Sequence, residues 1–357
     1  MYTPRTCFRS FILIAALLTA AASIASEPSG GTTVTESIRS SLLVENRIGI
    51  DPNRSIKIYL PPDYAKSNRS YPVVYYLHNF WWSPDQLFSE NHVPRHLDRA
   101  FVSGIAEHFI LVAADYRMPT TTSLYENSPV NGRWIDFTTQ ELVPFIDSRF
   151  RTVAHRNSRA VVGDFFGARG AIRFAMRHPE IFSVAYAMHP VATSGGNVPW
   201  SHVPIDWKRV HAAKSFQDLE GDGRAQIFVT VSQAFLPNPN RPPFYCDFFT
   251  EMENGEPKVH LENLRTGQKG FHLDESLDQY AANLRQMRGL GIEWGRYDPT
   301  YAHVQSNRLF SRLLEDRGIE HEAEEFRGGV WDKTWTDDGR FYTRVIPFLA
   351  RHLEFAD

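Results

Sequence analysis

The sequence predicts an α/β fold in which a mostly parallel central sheet is flanked by helices. Short apolar runs at 71–80 and 108–117 are typical of strands that are buried on both faces. Residues 138–150 have helical spacing, and a strand, a helix and another strand follow between 159 and 190. Strands that alternate with helices favour parallel pairing, with helices covering both sides of the sheet.

The same pattern extends towards both ends of the chain. Residues 41–50 and 55–64 are predicted to be two early strands, and the Pro-Pro pair that ends the second indicates an edge position. The alternation resumes late in the chain with two strands and two helices, predicted at 290–295, 306–318, 321–326 and 344–355.

The alternation breaks between residues 190 and 288, which are rich in turn-forming residues. This stretch is too long for a single crossover loop, so we interpret it as a cap inserted over the sheet. Residues 276–287 have helical spacing. Residues 224–235 fit either a strand, because of their β-branched content, or a helix, because of their length.

The N-terminus resembles a cleavable secretory signal, with Arg5 and Arg9 before an apolar run and small residues after it. We therefore expect a signal peptide at 1–25, a flexible lead-in at 26–40 and one domain at 41–357. The mature chain would be exported, to the periplasm or beyond, with no membrane attachment. The alternative is an uncleaved membrane anchor. Cys246 would then be the only cysteine, so we expect no internal disulfide.

Charge and composition narrow the possible partners. The formal net charge of -3 gives no basic footprint, so a nucleic-acid partner is not expected. Aromatic residues make up 13% of the chain, including 8 Trp and 25 Phe. That is enough to fill the core and also to line a pocket.

One stretch, "RAVVGDFFGARGAIRFAMRHP" at 159–179, predicts a strand, a sharp glycine turn and a helix. In serine hydrolases such a turn carries the nucleophile at the centre of a Gly-x-Ser-x-Gly pattern. Here Gly163 and Gly167 flank a central Phe165, and phenylalanine cannot attack a carbonyl group.

Several segments together resemble the secreted putative-esterase family of α/β hydrolases, which includes esterase D-like and enterochelin esterase-like enzymes. They include "SIKIYLPPDY", "YPVVYYLHNF", the stretch at 159–179 and "GIEHEAEEFRGG". The resemblance covers roughly residues 40–355. It implies an α/β-hydrolase fold with a triad in the chain order serine, acid, histidine.

The resemblance assigns the three triad positions to Phe165, Asp298 and Val330. The nucleophile and the base are therefore both replaced, and only the acid is retained, so we expect no serine-triad hydrolysis. The resemblance also implies an oxyanion site formed by the backbone amides of Phe166 and of a residue near Phe80. Where the family usually has His-Gly, this chain has His78-Asn79.

Three polar residues near the predicted turn could supply other chemistry. Asp164 precedes the turn centre and is a candidate nucleophile; the alternatives are a salt bridge to Arg169 or Arg173 or a charge at the helix N-terminus. His189 ends the next strand and is a candidate base or ligand contact, or else a structural turn residue. Asp164, His189 and Asp298 could gather as a metal site, but they lack the spacing of metal ligands, so we expect no metal. No cofactor is expected either. His303 and Asp332 lie near the triad positions in sequence only.

Aromatic residues surround the predicted site: Phe80, Trp81, Trp82, Phe165, Phe166, Trp331 and Trp335. They would either line an apolar pocket, together with His78 and Asn79, or pack against the cap and close the site. We therefore expect a pseudoenzyme that binds a small apolar or aromatic ligand, or a protein partner. The alternative is an enzyme of the same fold with non-serine hydrolase, lyase or isomerase chemistry, using Asp164, His189 and the oxyanion amides.

Overall fold

A computed structural model describes residues 30–195 and 204–356. The predicted signal peptide at 1–25 lies outside the described residues. An eight-stranded sheet dominates the fold, and its order is β1-β2-β4-β3-β7-β8-β11-β12. Its strands are β1 (Thr32–Arg39), β2 (Asn53–Leu60), β3 (Val73–Leu77), β4 (Ile110–Ala114), β7 (Arg159–Asp164), β8 (Val184–Met188), β11 (Gly289–Gly295) and β12 (Glu322–Phe326). Two hairpins lie outside it: β5 (Asn127–Ser128) with β6 (Gly132–Arg133), and β9 (Thr250–Glu253) with β10 (Glu256–Val259).

Helices cover both faces of the sheet. They are α1 (Pro84–Ser89), α2 (Val93–Val102), α3 (Trp134–Asp136), α4 (Val143–Arg149), α5 (Phe166–Arg177), α6 (Trp207–Ala212), α7 (Gly223–Phe235), α8 (Leu261–Phe271), α9 (Leu277–Leu284), α10 (Tyr301–Glu315) and α11 (Ile346–His352). Wider π-helical turns at Phe137–Leu142 and Phe341–Val345 lead into α4 and α11. Within the described ranges, we find no helix with the length and apolar character needed to span a bilayer.

The predicted fold class is confirmed: six neighbouring strands from β4 to β12 run parallel, and β1 and β2 pair antiparallel at one side. Successive side chains of a strand enter opposite cores, as the period of a strand requires. In β3, Val73 and Tyr75 pack against the core that includes α5 and α10, whereas Val74 and Tyr76 pack against the core that includes α2 and α11.

The N-terminal side of the sheet corrects two predictions. Residues 32–39, which fall in the predicted flexible lead-in, form β1 and pair with β2 along its whole length. The predicted strand at 41–50 is instead a series of turns that buries Leu43, Ile48 and Ile50 in the core. Consequently β2 is not the edge strand of the sheet.

The regular elements between β8 and β11 are mostly helices where this segment is described, and the ambiguous run at 224–235 belongs to α7. Asp222 caps this helix, because its carboxylate accepts a hydrogen bond from the amide of Ala225 at 3.0 Å. Val231 and Phe249 of this segment pack with Phe80, which follows β3, and with Phe166, the first residue of α5. The segment therefore covers part of the carboxyl edge of the sheet.

Candidate functional site

The turn between β7 and α5 has the tight geometry of a nucleophile elbow. Phe165 lies between strand and helix with φ 55° and ψ -108°, a conformation that L-residues rarely adopt. The flanking glycines allow close packing: a Cβ at Gly163 would lie 2.3 Å from the backbone of Gly167. One at Gly167 would lie 1.9 Å from the carbonyl oxygen of Leu77. Phenylalanine therefore occupies the tip of a strained turn that larger flanking residues could not form.

The half-buried ring of Phe165 lies within a cluster of other rings. Its centroid is 5.2 Å from Phe80, 5.3 Å from His303 and 5.5 Å from Trp331. The ring of His189 is nearly parallel to it at 6.2 Å. Each of these separations falls in or near the range of favourable aromatic contacts. An apolar ring thus fills the position from which a nucleophile would attack.

Indole rings form the outer part of this cluster. Trp331 stacks on Trp82 with a centroid distance of 6.1 Å, and Trp81 contacts Phe80 edge-on at 3.9 Å. Trp81 and Trp331 are 53% and 45% exposed, so much of their surface faces solvent. Trp335 does not join this cluster as predicted: it is half-buried and packs against the rings of Tyr76 and Phe341, next to the core that includes α2 and α11.

The loop after β3 is held by His78 and Asn79. The Nε2 atom of His78 accepts a hydrogen bond from the amide of Tyr116 at 3.0 Å, so Nδ1 carries the proton that it donates to the carbonyl of Asn79. Burial lowers the pKa of His78 to about 4. The side chain of Asn79 donates to Asp164 and accepts from the amide of Trp81. The side chains of His78 and Asn79 therefore both hold the loop after β3 in place through hydrogen bonds.

Asp164 is fully buried beside the elbow. Its carboxyl group accepts hydrogen bonds from the hydroxyl of Tyr76 at 3.0 Å and from Nδ2 of Asn79 at 3.2 Å. Desolvation raises its pKa to about 7, although both hydrogen bonds favour the charged form. Arg169 and Arg173, its predicted salt-bridge partners, pair with Glu126 instead.

A second polar group lies opposite the elbow, centred on Asp298. Its Oδ2 atom is 2.8 Å from Nε2 of His189 and 2.8 Å from Nδ1 of His303. Its Oδ1 atom accepts from the amide of Thr300 at 2.7 Å. Burial alone would raise the pKa of Asp298, but the bonds from the two histidines outweigh burial and lower it.

The hydrogen bonds determine the tautomers of both histidines. An ionised carboxylate only accepts, so Nε2 of His189 and Nδ1 of His303 each carry a proton. Nδ1 of His189 accepts from the amide of Gly295 at 3.0 Å, so both ring nitrogens of His189 are committed. Nε2 of His303 has no hydrogen-bond partner among the described residues. His303 is thus the histidine of this pair with an available lone pair.

The ligand atoms of His189, Asp298 and His303 lie within 4.8 Å of one another, as in a metal site. A metal-bound histidine normally donates from its other ring nitrogen. Binding through Nε2 of His189 would place a protonated Nδ1 against the amide hydrogen of Gly295. The arrangement therefore fits two histidines bound to a carboxylate better than a metal centre.

A valine occupies the position at which the family resemblance implies the triad histidine. Val330 is half-buried in the turn after Gly328 and Gly329, and Trp331 follows it in the ring cluster.

The sequence predicts that His303 is close to Asp298 along the chain but not in space. That prediction is wrong, because the two side chains are hydrogen-bonded. The signal that could have found it is its place five residues after the acid, in the first turn of α10.

The predicted oxyanion amides belong to residues at the correct edge of the sheet. Phe166 is the first residue of the 12-residue helix α5, and helix N-termini favour negative charge. The rings of Phe80 and Phe166 contact each other at 4.9 Å. An oxyanion role for the two amides stays a prediction.

Comparisons with known proteins agree with this architecture. The sequence model of a family described as "Putative esterase" matches residues 49–287. Esterase Rv1288 of Mycobacterium tuberculosis (strain H37Rv) is 30% identical over 141 residues, which are 37% of this chain and 28% of that protein. The chain thus matches less than a third of the length of that relative.

Solved structures are similar over nearly the whole chain at low sequence identity. A ferulic acid esterase has a TM-score of 0.63 at 19% identity, covering 91% of this chain and 99% of that one. S-formylglutathione hydrolase FrmB from Staphylococcus aureus has a TM-score of 0.56 at 14% identity, covering 89% and 100%. A feruloyl esterase module from Clostridium thermocellum, solved with sinapinate, has a TM-score of 0.54 at 15% identity, covering 92% and 91%.

Proposed function

This chain belongs to the esterase family of α/β hydrolases, yet it has phenylalanine at the elbow, and we propose that it binds a small flat apolar or aromatic ligand without serine esterase activity. The observation that carries the proposal is the ring of Phe165 at the elbow tip. A serine mechanism needs a hydroxyl group there within about 3 Å of a base.

The exposed indole rings favour an aromatic or apolar ligand. Trp331 contacts Phe165 on one side and stacks on Trp82 on the other, while about half of its surface remains exposed. A flat ligand that covers Trp331 and Trp81 would bury apolar surface that the folded chain leaves in water. The hydrophobic effect and ring contacts would then provide most of the binding free energy.

The names of the similar structures supply suitable probes. A ferulic acid esterase and a feruloyl esterase module complexed with sinapinate are proteins whose names connect this fold with aromatic acids. Methyl ferulate and methyl sinapinate offer a flat ring and an ester group in one molecule. They therefore test binding and turnover in the same solution.

The binding test is a titration of both esters followed by tryptophan fluorescence and calorimetry. We expect saturable binding that weakens at least tenfold in Trp331→Ala. Val102→Ala is the control, because Val102 is 67% exposed at the end of α2, outside the ring cluster. Equal affinity in wild type and Trp331→Ala would refute the ligand site. Stoichiometric labelling of any serine by a fluorophosphonate would refute the absence of serine chemistry.

A second candidate function is hydrolysis by water, and the open Nε2 atom of His303 favours it. His303 is bound to Asp298 through Nδ1 in the tautomer that a general base requires. In this scheme Nε2 takes a proton from water, and the hydroxide equivalent attacks the ester carbonyl of a ligand bound over Phe165. The tetrahedral intermediate then breaks its bond to the ester oxygen, and the departing alkoxide takes the proton back from Nε2 and leaves as the alcohol. His189 and Asp164 then have positioning roles, because their polar atoms are already bonded.

Turnover assays separate the two candidates. The second candidate predicts release of ferulate that is lost in His303→Ala, survives in His189→Gln at reduced level and never shows a covalent acyl burst. His321→Ala is a matched control, because His321 bonds to Ser311 and the backbone of Ile319 outside this group. Release that is insensitive to His303→Ala would eliminate this mechanism, and absence of any ferulate release from the wild-type protein would leave binding as the function.

A further inference from the structure

A cavity of about 400 Å³ opens on the flank of the molecule, between α5, α7, α8 and α9. Arg173 and Arg177 of α5 line one side, and Lys269 of α8 lines another. The rings of Phe235 and Tyr280 complete its apolar walls. Arg173 and Arg177 belong to the last two turns of α5, whereas the elbow lies before its first turn, so the cavity is separate from the site described above.

Positive charge exceeds negative charge around this cavity. Glu126 is buried, and its carboxylate lies 3.0 Å from Arg169, 2.7 Å from Arg173 and 3.9 Å from Arg177. Burial would raise the pKa of Glu126, but the arginines outweigh it and lower the pKa, so the carboxylate is charged. One carboxylate therefore faces three guanidinium groups, and Lys269 adds a further cation.

Arg173 and Arg177 differ in how many of their N–H donors already form hydrogen bonds. Arg173 donates to Glu126, to the hydroxyl of Ser276 at 3.0 Å and to the carbonyl of Gly270 at 3.0 Å, so it is fixed. Arg177 donates through Nε to the hydroxyl of Tyr280 at 3.2 Å, and its side chain is 38% exposed. Its Nη1 atom lies 3.9 Å from Oε2 of Glu126, beyond hydrogen-bond distance, so both terminal Nη groups keep N–H donors for a ligand.

Lys269 is exposed and has no partner among the described residues. Asp136 acts on Arg177 from a distance, but it is paired with Arg133 at 2.5 Å. Among the residues that line the cavity, Glu126 is the one carboxylate beside Arg173, Arg177 and Lys269, so positive charge is in excess there. A guanidinium fork and an ammonium group are the donors that bind carboxylate and phosphate oxygens.

We propose that this cavity binds a small organic anion through its carboxylate or phosphate group. The terminal nitrogens of Arg177 donate to two oxygens of the anion, and Lys269 pairs with its charge. The apolar part of the molecule lies against the rings of Phe235 and Tyr280. A volume of about 400 Å³ suits a molecule larger than inorganic phosphate.

The test measures binding of phenyl phosphate, benzoate and inorganic phosphate by calorimetry and by thermal unfolding, with sodium chloride at equal ionic strength as reference. We expect one or both aromatic anions to bind and to raise Tm, because a ligand that binds only the folded state stabilises it. Tighter binding of phenyl phosphate identifies a phosphate site, and tighter binding of benzoate identifies a carboxylate site; either result supports the proposal.

Variants locate the anion. Arg177→Gln and Lys269→Gln should each weaken binding at least tenfold, whereas Arg149→Gln should leave it unchanged, because Arg149 is a half-exposed arginine on α4. Trp331→Ala should also leave anion binding unchanged, so this proposal can fail or succeed independently of the proposed function. No effect of the anions beyond that of chloride, or binding that survives both Arg177→Gln and Lys269→Gln, would overturn it.

Discussion

Replacing Phe165 by alanine and by glycine separates the stabilisation due to its ring from the strain of its backbone. The ring contacts Phe80, His303 and Trp331 with centroids 5.2–5.5 Å away. The backbone has φ 55° and ψ -108°, which only glycine adopts readily. Both variants remove the ring, but only the glycine variant also removes the strain.

The expected magnitudes follow from these contacts and angles. Loss of a half-buried aromatic ring lowers the free energy of unfolding by about 1–3 kcal/mol in either variant. Strain of about 1–3 kcal/mol is relieved in Phe165→Gly alone, offset by about 0.5–1 kcal/mol for the greater freedom of glycine in the unfolded chain. We therefore expect Phe165→Gly to be more stable than Phe165→Ala by about 1 kcal/mol.

Equilibrium urea unfolding measures this difference. With m of about 3 kcal/mol per molar urea, the two midpoints should differ by about 0.3 M. Glu90 provides the control, because it is exposed and has an ordinary φ of -88°. There the alanine variant should be the more stable of the pair, by about 0.5–1 kcal/mol. If Phe165→Ala is as stable as Phe165→Gly, the elbow is not strained and the reasoning fails.

Three further predictions concern the supports of the site. The pKa of Asp164 is about 7 in the folded protein, because the carboxyl group is buried, against 3.8 for a carboxyl group exposed to water, as in the unfolded chain. The folded state thus keeps a proton that the unfolded state loses. The free energy of unfolding of wild type should therefore fall relative to that of Asp164→Asn, by about 1 kcal/mol or more, as pH rises from about 4 to about 7. If urea unfolding gives the two proteins the same pH dependence of stability over this range, the prediction is contradicted. Gly167→Ala should lower the free energy of unfolding by more than about 3 kcal/mol, because its Cβ would meet the carbonyl of Leu77. The control, Gly329→Ala, should be tolerated. Equal midpoints of the two variants in thermal unfolding would refute this. Glu126→Gln should lower the free energy of unfolding by about 3 kcal/mol, because it leaves the buried guanidinium groups of Arg169 and Arg173 without their carboxylate. An unchanged midpoint of urea unfolding would count against a stabilising role of these ion pairs.

The local patterns of the sequence determine the family, the fold class and the elbow. Apolar runs and glycine spacing depend on residues close together in the chain, so β3, β4, β7 and α5 were predictable from them. The same pattern reasoning missed β1, because β1 is exposed on most of its residues and depends on pairing with β2. Pairing between segments about twenty residues apart leaves little trace in either segment alone.

Only the tertiary structure decides what the side chains of the site contact. Asp298 was expected from chain order, but its bonds to His189 and His303 join β8 to the start of α10 across about 110 residues. The partners of Asp164 and the cluster around Glu126 also come from separate elements. Side-chain direction and burial arise when the sheet and cap assemble, and they determine which histidine keeps a free nitrogen and where charge remains unbalanced.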